Sequence, residues 1–429
     1  MKRTAFINAR LIDPATNLDA PGALLVEDGK IADVGPRLFN DARPASADIV
    51  DCAGQVLSPG LIDLRVFTGE PGAEHRETLA SAGESAAAGG VTSFAMMPVT
   101  DPVIDDAALV DFIKRRAAAN AKVNVYPCAA LTQGLKGAQM AELGLLKEAG
   151  AVAFTDADRT IASTLIMRRC LTYAANFDAL VIAHAEDPAL AGVGHMNEGA
   201  FAARMGVGGI PAAAEAIIVE RDMRLVELTG ARYHLGQVST AAALEIIAKA
   251  KARGLPVTCA VSAHHLVLNE QDIGEYKTFA KVSPALRSED DRKAMVEGIR
   301  ASTIDAIVSS HDPQAPETKR LPFAQAAYGA VGLETLLPAA LSLHHEANVS
   351  LIDIVRRLTL EPANLLRLAA GRLAKGAPAD LVLFDPGAPR KIDPVEFRSR
   401  SKNSPFKGRL MQGRVSRTVV GGTTVFGEV

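Results

Sequence analysis

The sequence lacks the features that mark secreted and membrane proteins. Its four cysteines, Cys52, Cys128, Cys170 and Cys259, are widely separated and form no CxxC pair. Scattered cysteines in apolar surroundings are typical of reduced core residues, so we expect neither disulfides nor a cysteine metal site. No segment reaches the roughly eighteen consecutive apolar residues of a membrane span, and no long apolar stretch follows the basic N-terminus. We therefore expect a cytoplasmic protein.

An excess of charge of either sign is also absent. Lys and Arg number 46 against 49 Asp and Glu, giving a net charge of -3, and basic residues occur only in short pairs. This balance argues against nucleic acid or an anionic membrane as the main partner. No G-x-G-x-x-G follows the first strand candidate, which argues against a dinucleotide-binding fold.

Short β-rich runs alternate with longer helical patterns through the middle of the chain, which is typical of a parallel sheet. The strand candidates span residues 61–67, 91–99, 123–131, 151–156, 180–187, 231–240, 257–265 and 304–312. Eight β/α units in about 300 residues favour an α/β fold of the (β/α)8 TIM-barrel type over an open doubly wound sheet, although counting alone leaves both open.

Two helical patterns show the single apolar stripe of a helix that packs on a sheet. After the second strand candidate the stripe is formed by Leu109, Phe112 and Ile113. Before the sixth candidate it is formed by Val219, Met223 and Val226, and Gly230 marks the end of that helix.

The two ends of the chain differ in kind from its middle. Both alternate in short strand-like runs, such as ALLVEDGKIADVG near the start and GRVSRTVVGGTTVF near the end. We predict a small discontinuous β-sandwich domain built from residues 1–57 and 366–429, with the barrel domain between them at residues 58–365.

In a TIM barrel the chemistry lies where the strands end. Polar residues stand at these positions: Arg65, Thr68, Glu70, Asp156, His184, Gln237, Ser239, Ser310, His311 and Asp312. Asp156 and His184 are metal-ligand types, but a strand-end Asp often caps the next helix and a His often bonds a neighbour. Two candidates are also too few, since a catalytic zinc needs three protein ligands.

The sequence resembles the class I dihydroorotases of the cyclic-amidohydrolase superfamily and, more distantly, hydantoinases and allantoinases. The segments that carry this resemblance follow in order along nearly the whole chain: SPGLIDLRVFTGEPG, GAVAFTD, VIAHAEDPAL, HHLVLNEQDIG, LRSEDDR, GAVGLETLLP, GAPADLVLFDP and SRSKNSPFKGRL. It implies a TIM barrel with a β-sandwich domain. Within the family the chain is most similar to inactive members that lack an H-x-H metal motif.

Active members of the family bind two divalent metals, usually zinc, which activate a hydroxide, and an aspartate moves the proton. The resemblance places two family ligands here, Asp156 and His184. The H-x-H pair is replaced by Arg65 and Phe67, and the strand-six His by Gln237. Ser310 replaces the strand-eight Asp, which is both a ligand and the proton shuttle, so we expect no catalytic residue and only the remnant of a metal site.

The positions that hold substrate in the family are altered as well. The arginine that binds the substrate carboxylate is Gly69, and its asparagine partner is Val99. The asparagine of the strand-seven loop is Ser283, and the last histidine of the strand-eight motif is Gln314. The resemblance therefore implies no substrate-binding residue for dihydroorotate.

Five further histidines are interpreted as scaffold or surface residues. We expect His311 to be family scaffold and Asp312 an N-cap or a surface acid. The alternative is that both join Asp156 and His184 in a displaced single-metal site. A similar scaffold role is expected for His264 and His265, and His344 and His345 are expected on the surface of a helix.

Arg65 leads to a physical hypothesis. A buried Asp156 without a metal would carry an unpaired charge, which costs on the order of 3–5 kcal/mol. We expect the guanidinium of Arg65 to pair with Asp156 and to replace the divalent ion.

The sequence leaves two alternatives for whether the chain is an enzyme. The first expectation is a non-catalytic homologue without a cofactor, in pyrimidine biosynthesis, which assembles with the catalytic subunit of aspartate transcarbamoylase. The alternative is an active zinc amidohydrolase that interconverts N-carbamoyl-aspartate and dihydroorotate, or acts on another cyclic amide, with one zinc at a reduced site. A third candidate is a scaffold unrelated to pyrimidines. By resemblance we also expect a homo-oligomer.

Overall fold

The computed structural model of the chain describes residues 3–39 and 46–427. Its strands in chain order are β1 (Arg3–Asp13), β2 (Leu18–Glu27), β3 (Lys30–Gly35), β4 (Asp48–Asp51), β5 (Val56–Pro59), β6 (Leu61–Val66), β7 (Val91–Met96), β8 (Asn124–Pro127), β9 (Leu180–Ala183), β10 (Met196–Asn197), β11 (Gly209–Ile210), β12 (Arg232–Leu235), β13 (Val257–Ser262), β14 (Ala306–Val308), β15 (Leu381–Lys391), β16 (Leu410–Val420) and β17 (Thr423–Phe426).

The α-helices cover the outside of the parallel strands and the segments that connect them. In chain order they are α1 (Leu79–Ala88), α2 (Ala107–Asn120), α3 (Leu143–Ala149), α4 (Thr164–Asn176), α5 (Pro188–Ala191), α6 (Ala200–Met205), α7 (Ala212–Thr229), α8 (Ala241–Ala252), α9 (Ala263–Val267), α10 (Glu289–Arg300), α11 (Pro316–Lys319), α12 (Leu336–Ala347), α13 (Leu351–Leu358) and α14 (Leu360–Leu366). Within the described ranges, no helix is long and apolar enough to cross a membrane.

The parallel strands close into a TIM barrel. β6, β7 and β8 form one run of paired strands, and β9, β12, β13 and β14 form a second. Phe154 joins the two runs through bridges to Ala129 and Val181, and Val66 bridges His311 to close the ring. The fourth strand candidate, residues 151–156, therefore contributes only this bridge at Phe154, whereas the other seven candidates each contain a regular strand.

Apolar side chains fill the inside of the ring. One buried cluster takes residues from most of the barrel strands, among them Leu64, Ala95, Cys128, Ala260 and Ala306, but none from β12. The region at the carboxyl ends of the barrel strands is called the barrel mouth below. Phe67 belongs to the same cluster, so its ring packs on the barrel core. All four cysteines are free and buried, as expected from their apolar surroundings.

Strands from both ends of the chain form one eight-stranded sheet beside the barrel. Its order is β17-β16-β15-β5-β1-β2-β3, and β4 pairs with β1. Thr418 of β16 donates a hydrogen bond of 2.7 Å to the carbonyl of Ala87 at the end of α1, and Asn124 of β8 donates one of 3.0 Å to Asp380. These contacts hold the sheet against the barrel. The exact domain boundaries at residues 57/58 and 365/366 stay predictions.

The helix predictions have mixed outcomes. Val219, Met223 and Val226 are buried in α7, and Gly230 ends that helix with a φ of 68°, as predicted. The predicted stripe of α2 is wrong in one member, because Phe112 is 40% exposed. The buried residues of α2 are Val110, Ile113 and Ala117. Phe112 directly precedes Ile113, so it points about 100° away from this stripe around the helix.

Gly89 gives a test of the packing between α1 and the segment before α12. A Cβ atom at this position would lie 2.1 Å from the backbone carbonyl oxygen of Leu333. Because backbone atoms cannot move aside cheaply, Gly89→Ala should lower the free energy of unfolding by about 1–3 kcal/mol. Chemical denaturation measures this difference. Gly35→Ala is the matched control, since its Cβ would meet nothing within 4 Å; equal stability of the two variants would contradict the packing.

Candidate functional site

Arg65 ends β6 and places a cation in the barrel mouth. Its side chain is only 5% exposed. Nη1 donates a hydrogen bond of 3.2 Å to the carbonyl of Ala157, and the guanidinium carbon lies 5.1 Å from the centre of the Phe67 ring. Nε has no hydrogen-bond partner among the described residues. Burial lowers the pKa of Arg65, and the nearby carboxylates of Asp158 and Asp312 partly offset this effect.

Asp156 is buried, but its carboxylate is already satisfied by the loop after β8. It accepts hydrogen bonds of 3.1 and 2.9 Å from the backbone amides of Leu131 and Thr132, and a further bond from the Thr132 hydroxyl. Burial raises the pKa of Asp156, and these bonds oppose the rise. The hypothesis that Arg65 pairs with Asp156 is therefore wrong: the backbone supplies the donors, and Arg65 turns to the carbonyl of Ala157 instead.

His184 follows β9 and is 6% exposed. Burial and the charge of Arg65 lower the pKa of this imidazole to about 4, so the ring is neutral near pH 7. Arg287 lowers it further, and Asp158 opposes both. A neutral imidazole has a lone pair for a metal, but the cation beside it would repel a second positive charge.

Gln237 and Ser310 are hydrogen-bonded to each other. The amide nitrogen of Gln237 donates to the hydroxyl of Ser310 over 2.9 Å, and both side chains are buried. The structure thus brings together the positions where the resemblance places a His ligand and an Asp ligand. A neutral amide and a hydroxyl stand at these two positions, and the side-chain oxygen of Gln237 is buried without a hydrogen-bond partner among the described residues.

The residues after Ser310 hold the loops of the barrel mouth together. The Nδ1 atom of His311 accepts a hydrogen bond of 3.2 Å from the amide of Gly332, and Nε2 lies 3.4 Å from the carboxylate of Glu77. Both side chains are fully buried. This arrangement agrees with a scaffold role for His311.

Asp312 has a different role from the one predicted. Its carboxylate forms an ion pair of 2.7 Å with Arg76 and accepts a hydrogen bond of 2.8 Å from the side chain of Gln314. The expectation that it is an N-cap or a surface acid is therefore wrong, because the side chain is only 18% exposed and joins two loops. Burial raises the pKa of Asp312 to about 6.

The resemblance implies four altered substrate positions, and two of them, Gly69 and Gln314, have a local structural explanation. Gly69 has a φ of 70°, and a Cβ there would lie 2.6 Å from the carbonyl of Ala73, so an arginine does not fit this backbone. The side chain of Gln314 donates a hydrogen bond to Asp312, and its backbone amide donates one of 3.2 Å to the side-chain oxygen of Asn403. Val99 is an apolar side chain without a hydrogen-bonding group. Ser283 precedes Pro284 in the strand-seven loop.

The remaining histidines make structural contacts. His265 is within 3.1 Å of the carbonyl of Ala285, and the ring of His264 lies 5.5 Å from that of Phe406. Burial lowers the pKa of His265 to about 4 and that of His264 to about 3. His344 and His345 lie on α12, where each has a nitrogen 2.9 Å from a backbone carbonyl.

The sequence reasoning missed two buried charged residues of the site. Asp63 is fully buried in the middle of β6, where it accepts a hydrogen bond of 3.1 Å from the amide of Arg65 and another of 3.3 Å from that of Ser309. Burial raises the pKa of Asp63 to about 6. The signal was available, since Asp63 interrupts the same apolar run as Arg65.

Arg287 is the second missed residue. It is 2% exposed and donates hydrogen bonds of 3.0 Å to Ser239 and to the carbonyl of Ile210. Its nearest carboxylate belongs to Glu215, 3.7 Å away. The charged motif LRSEDDR contained Arg287, but nothing in it indicated that this arginine would be buried.

The residues of the barrel mouth do not fit a zinc site. A guanidinium has donors only and cannot coordinate a metal, and Phe67 offers no ligand atom. In residues 3–39 and 46–427, no group of three or more His, Cys, Asp or Glu side chains is arranged to hold a metal ion. The predicted remnant pair, Asp156 and His184, lines one cavity of about 10 Å³, which is space for about one water.

Comparisons with known proteins point in one direction. The Dihydro-orotase-like family model matches residues 54–243. The chain is 45% identical over 427 residues to a dihydroorotase of Ehrlichia canis, covering 99% of this chain and 95% of the relative. It is 44% identical over 425 residues to a dihydroorotase of Anaplasma phagocytophilum, covering 98% and 95%. Among solved structures, the L-hydantoinase of Arthrobacter aurescens matches with a TM-score of 0.89 at 26% identity, covering 100% and 97%.

Removing the buried cation tests its place beside His184. In the variant Arg65→Met the pKa of His184 should rise from about 4, because a like charge is lost while the apolar stem is kept. His184 contributes stability above pH 6.5 that is lost as the pH falls towards 4, and this acid-induced loss should shrink in the variant. Two-dimensional NMR of the imidazole nitrogens measures the pKa.

The matched control is Arg221→Met. Arg221 bonds Asp222 and the carbonyl of Ile161, and it does not contribute to the pKa of His184. An unchanged pKa of His184 in the Arg65 variant would show that the two side chains do not face each other.

Proposed function

Because this chain belongs to the dihydroorotase family, we propose that it is a dihydroorotase homologue of de novo pyrimidine biosynthesis that does not itself open or close the dihydroorotate ring. The contact between Gln237 and Ser310 carries this proposal. Hydrolysis by this family's chemistry needs a metal-activated hydroxide and a carboxylate that moves its proton. The resemblance aligns Ser310 with that carboxylate, and its hydroxyl accepts a hydrogen bond from the side-chain amide of Gln237.

The substrate side supports the same proposal. Dihydroorotate carries a carboxylate, which needs a cationic or amide anchor. Gly69, Val99 and Ser283 offer no such anchor, and Gln314 is held by Asp312.

We propose that the chain acts as a structural partner of the catalytic subunit of aspartate transcarbamoylase. Its resemblance to inactive family members that assemble with this enzyme supports the idea. A barrel that keeps its fold without its chemistry can still offer a surface to another protein. We also propose that the chain forms a homo-oligomer, as members of the family commonly do.

A working zinc amidohydrolase is the second candidate. One observation favours it: proteins 45% and 44% identical to this chain are named dihydroorotases. In this case Asp156 and His184 would hold a single metal. Overall similarity follows the fold more closely than the few residues that carry chemistry, so we prefer the first candidate.

A turnover assay separates the two candidates. We expect no conversion of dihydroorotate or N-carbamoyl-aspartate above the uncatalysed rate, with or without added zinc. The reason is that the chain lacks the metal ligands that would activate a hydroxide and the carboxylate that would move the proton. Metal analysis of protein purified without chelators should give well under one zinc per chain. An active dihydroorotase assayed in parallel is the positive control. Bound metal together with turnover that rises with zinc would favour the amidohydrolase.

Assembly with the transcarbamoylase is tested separately. The two purified proteins of the same organism should elute together in size-exclusion chromatography. The chain should also raise the stability of the transcarbamoylase, by about 2.7 kcal/mol at a concentration 100 times Kd. A hydantoinase from another organism, added at the same concentration, is the control for non-specific stabilisation of the transcarbamoylase. Separate elution at micromolar concentrations would contradict the partnership while leaving the question of activity untouched.

A further inference from the structure

We propose that a basic strip along the C-terminal part of the chain is the docking surface for an acidic face of a protein partner, which under the proposed function is the transcarbamoylase subunit. The strip consists of the exposed cations Lys391, Arg398, Arg400, Lys402, Lys407, Arg409 and Arg414. This inference rests on the proposed function, because it names the surface that the partner would contact.

The strip concentrates positive charge in a chain that is acidic overall. Residues 391–414 contain seven Lys or Arg against two Asp or Glu, a net charge of +5. The whole chain carries -3, which leaves -8 for all other residues. The sequence shows no basic run here because the cations are separated by buried residues. In the folded chain all seven cations are exposed, and exposed positive charge favours fast association with an acidic surface.

Alternating burial directs three of the cations outward. From Arg398 to Asn403 every second residue is exposed and every other one is buried. On the buried side Ser399 donates to Glu77, and Ser401 donates a hydrogen bond of 2.9 Å to the carbonyl of Arg76. Asn403 donates one of 3.0 Å to Gly329. These bonds fix the segment on the loops of the barrel mouth, so the cations are presented from a rigid support.

The hairpin of β15 and β16 supplies the remaining cations. Lys391 pairs with Leu410 across the two strands. Next to this pair, the backbone amide of Gly408 donates a hydrogen bond of 2.8 Å to the carbonyl of Ile392, which closes the segment between the strands. Lys407 and Arg409 therefore lie on the same end of the hairpin as Lys391. Arg414 lies further along β16, where it pairs with Asp385 in the sheet register.

Several of these cations are unused by the fold. Within the described ranges, the side chains of Lys391, Arg398, Lys407 and Arg414 make no hydrogen bond or ion pair. Arg409 contacts Asp272 at 3.2 Å. Cations that stabilise nothing inside the chain are free to pair with a partner, where matched charges raise the association rate.

An apolar part of the same surface points to a protein as the occupant. Val395 is 78% and Leu410 79% exposed, both on this segment. Beside Leu410 lies a groove of about 310 Å³ whose walls combine Val267, Pro338 and Met411 with the charged side chains of Glu346 and Arg409. A surface that combines large exposed apolar side chains with cations fits an acidic protein face with an apolar anchor. Asp393 and Glu396 interrupt the strip and would repel a phosphate backbone, which disfavours nucleic acid.

Charge reversal tests the strip. The triple variant Arg398→Glu, Lys407→Glu, Arg414→Glu should bind the purified transcarbamoylase subunit at least about tenfold more weakly than the unmodified chain. The affinity of the unmodified chain should fall between about 50 and 300 mM salt, and that of the variant should change less. Surface plasmon resonance measures both. The matched control reverses the same number of exposed cations elsewhere: Arg168→Glu, Arg169→Glu, Lys293→Glu.

A second variant and a second probe complete the test. Leu410→Ser changes no charge and should also weaken binding, while circular dichroism and thermal unfolding show whether each variant is folded. If the triple variant binds as strongly as the unmodified chain, the strip is not the docking surface, and the proposed function is unaffected. If the control variant with three reversed charges weakens binding equally, the strip is not the docking surface, because the total charge of the chain would then explain the effect.

Two further outcomes count against the proposal. If the unmodified chain does not bind the subunit at all, the proposed partnership fails and the inference fails with it. Binding of a single-stranded oligonucleotide that depends on the strip, without binding of the subunit, would assign the surface to nucleic acid. A change in the size of the homo-oligomer alone, with unchanged binding of the subunit, would assign it to contacts between copies of this chain.

Discussion

The buried guanidinium of Arg65 is the constraint around which the barrel mouth is arranged. A cation that is 95% hidden at the end of the first barrel strand lowers the pKa of His184 and repels any further positive charge nearby. Among the residues that the structure describes, no carboxylate forms a close ion pair with Arg65; a carbonyl, an aromatic ring and more distant carboxylates surround it. Two buried polar atoms of this region, Nε of Arg65 and the side-chain oxygen of Gln237, have no hydrogen-bond partner among the described residues.

The loops of the mouth are held by contacts between side chains and backbone. The carboxylate of Glu77 contacts His311 and accepts a hydrogen bond from Ser399. Arg76 forms an ion pair with Asp312. Asn403 is hydrogen-bonded to Gln314 and Gly329. These contacts connect the first and eighth βα loops with the C-terminal segment. The C-terminal segment makes these contacts with its buried side and presents cations on its exposed side, so scaffold and surface depend on one another.

Much of the fold could be predicted because apolar runs and turn residues are local signals. Seven of eight barrel strands follow from such runs, whereas the fourth is reduced to Phe154 because its neighbours pair only at that point. The site was harder to predict. The contact between Gln237 and Ser310 joins residues 73 positions apart, and the backbone donors of Asp156 come from a loop 24 and 25 positions earlier. Phe112 shows that even a local stripe can be misjudged by one residue.

Asp156 and His184, which the resemblance aligns with metal ligands of the family, need a separate explanation, since they could be interpreted as evidence for a metal. Asp156 accepts three hydrogen bonds that fix the turn after β8, and removing it would leave two buried amides and a hydroxyl without a partner. Its presence is therefore accounted for by structure alone. His184 is neutral and buried beside Arg65, a position that suits a packed imidazole as well as a ligand. Similarity across the whole chain follows the many residues that build the barrel, whereas activity depends on a few at its mouth. Family membership and loss of the family's chemistry are therefore compatible in one chain.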